Sequence, residues 1–137
     1  MNAQTKQIII VLLVGIFTLP LVSQASVVAE QQAAYAASGA GAFSAQKGEQ
    51  MWQREVVNAK DGRVRSCTTC HGRDLRSEGK HAKTGKAIKP LSPAVNSERL
   101  SDAKKIHKWF TRNCKWTWGR ECTPQEKGDF LSFIQNQ

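Results

Sequence analysis

The chain opens with one long apolar run. Hydrophobic residues continue from Ile8 to Val22 with few interruptions, after the positively charged Lys6. Ser23-Gln24-Ala25 then supplies small residues at the spacing that signal peptidase reads. We therefore predict a signal peptide over residues 1–25. An uncleaved membrane anchor is the alternative, although the run is shorter than the roughly 20 residues that span a bilayer.

The next stretch, residues 26–43, is rich in Ala, Gly, Ser and Gln and has no sustained periodic apolar face. Such a pattern favours irregular structure over a packed helix. We expect a flexible N-terminal arm or a loosely packed entry segment here, followed by one folded domain over residues 44–137.

Three later segments have the spacing of amphipathic helices. Ser44 can cap a helix over residues 45–57, with Gly48, Met51, Trp52 and Glu55 on one face. Ser101 and Asp102 can cap a second helix that continues to about Arg112. Its shared apolar face would consist of Ile106, Trp109 and Phe110.

The last helix has the clearest start. Thr123 at the N-cap, Pro124 at the first helical position and Glu126 two residues later form a capping box before an apolar stretch. Gly128 in this helix and Gly48 in the first one would let the two terminal helices cross closely if they face each other. With no alternating strand pattern in the chain, we predict an all-α fold.

Cys67-Thr68-Thr69-Cys70-His71 has the C-x-x-C-H arrangement of covalent haem attachment. Two cysteines at this spacing can each form a thioether with a haem vinyl group, and the adjacent His71 can then bind the iron. A dithiol redox centre or half of a zinc site shares the C-x-x-C but does not require the histidine. We predict one covalent haem c, with His71 as proximal ligand.

A long aperiodic segment between His71 and Val95 is expected to wrap around the cofactor. A ligating histidine usually donates its second ring N–H to an acceptor. We predict the carbonyl of Pro90 for this role, since proline has a carbonyl but no N–H. Pro93 and a plain turn proline are the alternatives.

No methionine follows the haem motif in the chain, where electron-transfer cytochromes c usually carry the sixth iron ligand. Met1 would leave with the signal peptide, and Met51 precedes the haem motif. His81 and His107 are candidates, although their surroundings suggest surface positions. Lysines with strongly lowered pKa values are a third possibility. Those considered are Lys83, Lys86, Lys89 and Lys115.

Cys114 and Cys122 enclose a short loop. In an exported chain, two such cysteines most simply form a disulfide. We predict this disulfide and expect it to stiffen the backbone next to Asn113.

The chain is strongly basic, with 20 Lys and Arg against 11 Asp and Glu and a net charge of +9. Loss of Lys6 with the signal peptide would leave +8. This balance favours acidic partners or anionic membranes, and export makes nucleic acid the weakest option. A dispersed set of solvated lysines is the alternative to a basic patch.

The chain resembles the sphaeroides haem proteins, which are oxygen-binding class I cytochromes c, over roughly residues 40–137. The most specific likeness is the run Lys108-Trp109-Phe110-Thr111-Arg112-Asn113-Cys114, and it is supported by four further segments. These are Cys67 to His71, Lys89-Pro90-Leu91-Ser92-Pro93, Gly119-Arg120-Glu121-Cys122-Thr123 and Glu126-Lys127-Gly128-Asp129.

The resemblance implies a class I cytochrome c fold and an asparagine as distal ligand of ferric iron, carried here onto Asn113 beside the Cys114–Cys122 disulfide. A neutral amide should hold ferric iron better than ferrous iron, so reduction would open a position for oxygen, nitric oxide or carbon monoxide. The resemblance also implies a dihaem cytochrome c or a membrane b-type cytochrome as electron donor.

Two functions follow from these observations. The first is an exported, periplasmic cytochrome that accepts electrons and binds a diatomic ligand on ferrous haem. The second is a simple electron carrier with a permanent His or Lys distal ligand. The residues do not identify a proton relay for enzymatic turnover.

Overall fold

The computed structural model describes residues 26–137, so the predicted signal peptide lies outside the described residues. Five helices account for most of the regular secondary structure. They are α1 (Val27–Ala37), α2 (Ala45–Gln53), α3 (Thr68–His71), α4 (Ala103–Trp118) and α5 (Pro124–Gln135).

Two short antiparallel ribbons join the helices. One pairs β1 (Val56–Val57) with β2 (Val64–Arg65), and the other pairs β3 (Gly79–Lys80) with β4 (Ala87–Ile88). The fold is therefore mainly helical, as predicted. Within residues 26–137, no helix combines the length and hydrophobicity needed to cross a membrane.

Helix α1 corrects the expectation of an irregular, flexible arm over residues 26–43. Ser26 caps the helix by accepting a hydrogen bond from the Ala29 amide. Val28 is buried with Ile106 and Leu131. The apolar face is narrow, and alanine has high helix propensity, so periodicity alone missed a helix that a few tertiary contacts stabilise.

Helix α2 starts as predicted, with the Ser44 hydroxyl accepting from the Lys47 amide at 3.2 Å. It ends at Gln53 rather than at residue 57. Val56 and Val57 instead form β1 and pair with Arg65 and Val64. The β-branched valines favour this extended pairing over a further helical turn.

Helices α2 and α5 pack together, but the two glycines do not face each other. A Cβ at Gly48 would collide with the Asp129 carbonyl oxygen and with the Phe133 side chain. A Cβ at Gly128 would overlap the Phe43 ring. Each glycine therefore allows a separate close contact, and only Gly48 sits at the crossing of the two helices.

Helix α4 is longer than predicted. The Asp102 carboxylate caps it by accepting from the Lys105 amide at 3.0 Å, and Gly119 ends it with a φ of 74°. The helix passes beyond Arg112 because buried Cys114 and Thr117 continue the face begun by Ile106. Trp109 does not share that face, since it is 47% exposed.

Helix α5 begins with the predicted capping box, in which Thr123 and Glu126 exchange hydrogen bonds with each other's backbone amides. Its residues from Gly128 to Ile134 are all buried. The side chains of Phe130, Phe133 and Ile134 form the main core with Trp52 and Leu75. This core leaves a large cavity between α3, α4 and the loop after α3.

Candidate haem-binding site

The cavity has a volume of about 630 Å³, within the range of roughly 300–1,000 Å³ typical of cofactor sites. Cys67, Cys70 and His71 line it from α3. Its walls are mainly apolar, and Leu91, Leu100, Ile106, Phe110 and Phe130 belong to them. An apolar cavity with two thiols and an imidazole at one side fits a covalently attached, flat, hydrophobic cofactor.

The haem motif forms a tight turn that presents both cysteines to the cavity. Cys67 is the N-cap of α3, and Gly72 ends the helix with a φ of 71°. Buried Ser66 fixes the start of the turn, because its amide donates to Thr69 Oγ1 at 3.0 Å. The Cys70 sulfur accepts from the Ala82 amide at 3.4 Å. Both thiols are free in the structure.

The environment of His71 favours a neutral imidazole. Burial, with a smaller contribution from the charge of Arg99, lowers the pKa of His71 to about 4. The ring therefore stays unprotonated at neutral pH and keeps the lone pair that a metal ligand needs. The Trp52 indole lies beside it, with ring centroids 5.5 Å apart.

The cysteine environments argue against the two alternatives to haem. Burial raises the pKa of Cys67 to about 12, whereas a dithiol redox centre works through a thiolate of lowered pKa. Cys114 and Cys122 are joined in a disulfide, as predicted, with Cα atoms 5.6 Å apart. They are therefore not available to complete a zinc site with Cys67 and Cys70.

The structure does not form the predicted hydrogen bond between His71 and Pro90. The Pro90 carbonyl accepts from Asn96 Nδ2 at 3.0 Å and from Arg99 Nε at 2.8 Å. A carbonyl oxygen has two lone pairs, so its acceptor positions are already filled. Pro90 instead holds the Arg99 guanidinium at the cavity wall, and the alternative, Pro93, lies in a turn.

Asn113 lines the cavity from α4. Its side chain is exposed, and among residues 26–137 it has no side-chain hydrogen bond. Cys114, the next residue, is buried and tied to Cys122. The disulfide therefore anchors the backbone that carries the Asn113 amide.

Of the other distal candidates, only His81 lines the cavity. Its Nδ1 accepts hydrogen bonds from the Lys83 and Thr84 amides, both at 3.2 Å. A neutral ring that accepts at Nδ1 carries its proton on Nε2 and has no lone pair there for iron. In this conformation, the His81 side chain stabilises the turn and does not offer a lone pair to iron.

The remaining candidates lie outside the cavity lining. His107 is exposed on α4, and Lys115 pairs with Glu121 at 2.9 Å. The others are Lys83, Lys86 and Lys89, all exposed. The structure places Lys105 on the cavity wall instead; sequence reasoning missed this residue because helix spacing alone does not show which α4 face meets the cavity.

Trp118 is a second cavity residue with a function that the sequence did not indicate. Its Nε1 is buried and has no hydrogen-bond partner, and the residue lines the cavity. A buried unsatisfied donor is costly. A haem would bring propionate oxygens, which are acceptors of the type that this N–H lacks, so the orphaned donor fits the group. Cys67 and Cys70 would hold it, with His71 available to the iron.

Comparisons with known proteins agree with this site. A family model described as a domain of unknown function (DUF1924) matches residues 38–134. Cytochrome c-type protein SHP of Cereibacter sphaeroides is 37% identical over 105 residues, which cover 77% of this chain and 80% of that protein.

Two solved structures share the fold. The structure of oxidised SHP, an oxygen-binding cytochrome c, matches with a TM-score of 0.73 and 35% identity, over 82% of this chain and 98% of that one. The crystal structure of oxidised cytochrome c'' from Methylophilus methylotrophus matches with a TM-score of 0.69 and 30% identity, over 79% of this chain and 92% of that one. With its C-x-x-C-H turn on the wall of a haem-sized cavity, this chain belongs to the SHP family: it is a monohaem c-type cytochrome with the class I fold and covalently bound haem c.

Proposed function

We propose that this protein is a periplasmic cytochrome that accepts electrons and binds a diatomic molecule, such as oxygen or nitric oxide, at ferrous haem. The predicted signal peptide and the Cys114–Cys122 disulfide support export to an oxidising compartment. The description of SHP as an oxygen-binding cytochrome c supports the choice of ligand.

The observation that carries this proposal is the set of donors on the cavity wall. Besides His71, the wall offers His81, whose Nδ1 is engaged by two backbone amides, the solvent-exposed amine of Lys105, and the free side chain of Asn113. Met51, the one methionine among residues 26–137, does not line the cavity. This set of donors supports a weak sixth ligand over a strong permanent one.

A bound haem supplies the iron that takes up one electron and offers a sixth coordination position. His71 serves as proximal ligand and stays neutral because burial lowers its pKa. Asn113 would hold the iron through its amide oxygen, a neutral hard donor that binds ferric iron in preference to ferrous iron. Its weaker hold on ferrous iron would give an external ligand access after reduction.

The electron donor that we propose is a dihaem cytochrome c or a membrane b-type cytochrome. Support comes from the basic character of the chain, since oppositely charged surfaces accelerate the encounter of redox proteins.

A test of the distal ligand compares Asn113→Ala with Thr111→Ala as a matched control on the same helix, because Thr111 does not line the cavity. We expect the ferric spectrum of Asn113→Ala to change, while that of Thr111→Ala stays like wild type. An unchanged ferric spectrum in Asn113→Ala would remove this residue from the iron.

The second candidate function is an electron carrier with two permanent ligands. The position of His81 on the cavity wall is the observation that favours it. Under this function, His81→Ala should convert the ferrous spectrum to that of a five-coordinate haem. Under our proposal, the ferrous spectrum of His81→Ala should match that of wild type.

A further inference from the structure

Helix α4 carries a dense set of cations without acidic residues among them. Its 16 residues contain no Asp or Glu. The exposed side chains Lys104, Lys105, Lys108, Trp109, Arg112 and Trp116 form what we call the α4 basic face. Lys115 is excluded because it pairs with Glu121. Two carboxylates, Asp102, which caps the helix, and Glu98, line the same cavity.

The arrangement of these cations is unfavourable for the helix itself. Lys104, Lys108 and Arg112 follow each other at i, i+4 spacing, so each lies next to a like charge, and such pairs destabilise a helix. Their side chains form no salt bridge within residues 26–137. Asp102 interacts electrostatically with Lys104 at the start of the row, but no residue of the row has a salt-bridge partner in the described part of the chain. Such a row on a stable helix is better explained by an external anionic partner than by folding.

Two large aromatic side chains lie among the charges. Trp109 is 47% exposed and Trp116 is 37% exposed. The Lys108 ammonium and the Arg112 guanidinium both lie 5.5 Å from the centre of the Trp109 ring. Arg65 lies 4.4 Å from the centre of the Trp116 ring. Trp and Arg are enriched among the residues that contribute most of the binding energy at protein interfaces.

One edge of the α4 basic face is also the rim of the haem cavity. Lys105, Trp109, Arg112 and Trp116 follow one stripe of the helix at spacings of 4, 7 and 11 residues from Lys105, and all four line the cavity. A protein that docked on this stripe would therefore come close to the cavity that would hold the haem, and a short distance favours electron transfer.

We propose that the α4 basic face is the docking site for an acidic electron-donor protein, an inference that rests on the proposed electron-accepting function. One electron passes from the donor's reduced cofactor to ferric haem, and no atom is transferred. Charge complementarity selects an acidic partner. A membrane is disfavoured, because an interfacial helix inserts its apolar face, and Ile106, Cys114 and Thr117 on that face of α4 are already buried.

The test uses the holoprotein and oxidised flavodoxin, a small acidic one-electron flavoprotein, as probe. Binding is measured by calorimetry at low and high ionic strength, and NMR locates the affected amides. The test variant is Lys104→Glu/Lys108→Glu/Arg112→Glu. The control is Lys47→Glu/Lys60→Glu/Arg76→Glu, which makes the same change in net charge at exposed residues away from the cavity wall.

We expect salt-sensitive binding, amide shifts along α4, and a loss of affinity on the order of tenfold or more in the test variant only. Lys104→Gln/Lys108→Gln/Arg112→Gln should give a smaller loss and serves if the Glu variant does not fold. No binding of flavodoxin, an equal loss in both triple variants, or binding of anionic vesicles in place of flavodoxin would each overturn the proposal. The ferrous haem's reaction with carbon monoxide is recorded for the same samples, so failure of the gas-binding function is seen separately.

Discussion

Trp52, a core residue, contacts the C-x-x-C-H turn that carries His71. Its Nε1 donates to the Gly72 carbonyl at 3.0 Å, and its ring centroid lies 5.5 Å from that of His71. The same indole packs against Phe130 and Phe133 of α5. One side chain thereby links the crossing of α2 and α5 to the residue proposed as proximal iron ligand.

Replacing Trp52 with Phe should separate these two roles. The ring packing is largely kept, but the Gly72 carbonyl loses its donor, so we expect destabilisation of about 1–2 kcal/mol. Chemical denaturation of the holoprotein measures this. The ferrous spectrum should shift as well, since the turn that carries His71 loosens. A variant as stable as wild type would show that the hydrogen bond contributes nothing.

The crossing of α2 and α5 depends on a missing side chain at Gly48. Because a Cβ there meets the Asp129 carbonyl and the Phe133 side chain, Gly48→Ala should destabilise the protein by about 1–3 kcal/mol. Gly41→Ala is the control, since its Cβ would meet only the Gln125 side chain at an ordinary 3.6 Å. Equal melting temperatures for the two variants would contradict the packing described for the crossing.

The Cys114–Cys122 disulfide should matter more for the site than for global stability. Closing so short a loop contributes only about 2–3 kcal/mol. In Cys114→Ser/Cys122→Ser we expect that loss in denaturation, together with an altered ferric spectrum, because the backbone at Asn113 is no longer anchored. If stability falls while the ferric spectrum stays that of wild type, the disulfide does not position the distal side.

The burial of His71 predicts a pH dependence. Its pKa is about 4 in the fold against an ordinary 6.5, so between these values the unfolded chain binds more protons than the folded one. Stability should therefore rise with pH across this window and become flat above it. Iron coordination acts in the same direction, since it also requires the neutral ring.

Urea denaturation of the holoprotein at several pH values measures this effect. Several carboxylates, including Glu121 and Glu126, also have lowered pKa values. Their contribution to the free energy of unfolding is lost mainly below the pH range in which His71 acts. A free energy of unfolding that stays constant between about pH 5 and 6.5 would contradict a buried neutral His71.

Local signals in the sequence predicted the site well where the chemistry depends on neighbouring residues. The C-x-x-C-H turn, the Ser44 cap, the α5 capping box and the Cys114–Cys122 pairing all involve partners within a few positions. Each is found in the structure.

Features that depend on distant partners were not predictable. The α1 segment is helical because Val28 meets Ile106 and Leu131 far along the chain. The Pro90 carbonyl binds Asn96 and Arg99 because the loop folds back on itself. Trp109 has the spacing of a core residue, yet its face of α4 meets solvent and the cavity rim. Periodicity shows which residues share one face of a helix, but it does not show what that face packs against.

The central claim is that iron is held firmly by His71 and only weakly on its other face. Rapid mixing of the reduced holoprotein with carbon monoxide tests this most directly. We predict an immediate, complete shift of the Soret band at a rate proportional to gas concentration, because under our proposal Asn113 does not hold ferrous iron. A ferrous spectrum that carbon monoxide leaves unchanged, or changes only at a slow rate independent of its concentration, would mean that a second strong protein ligand occupies the iron.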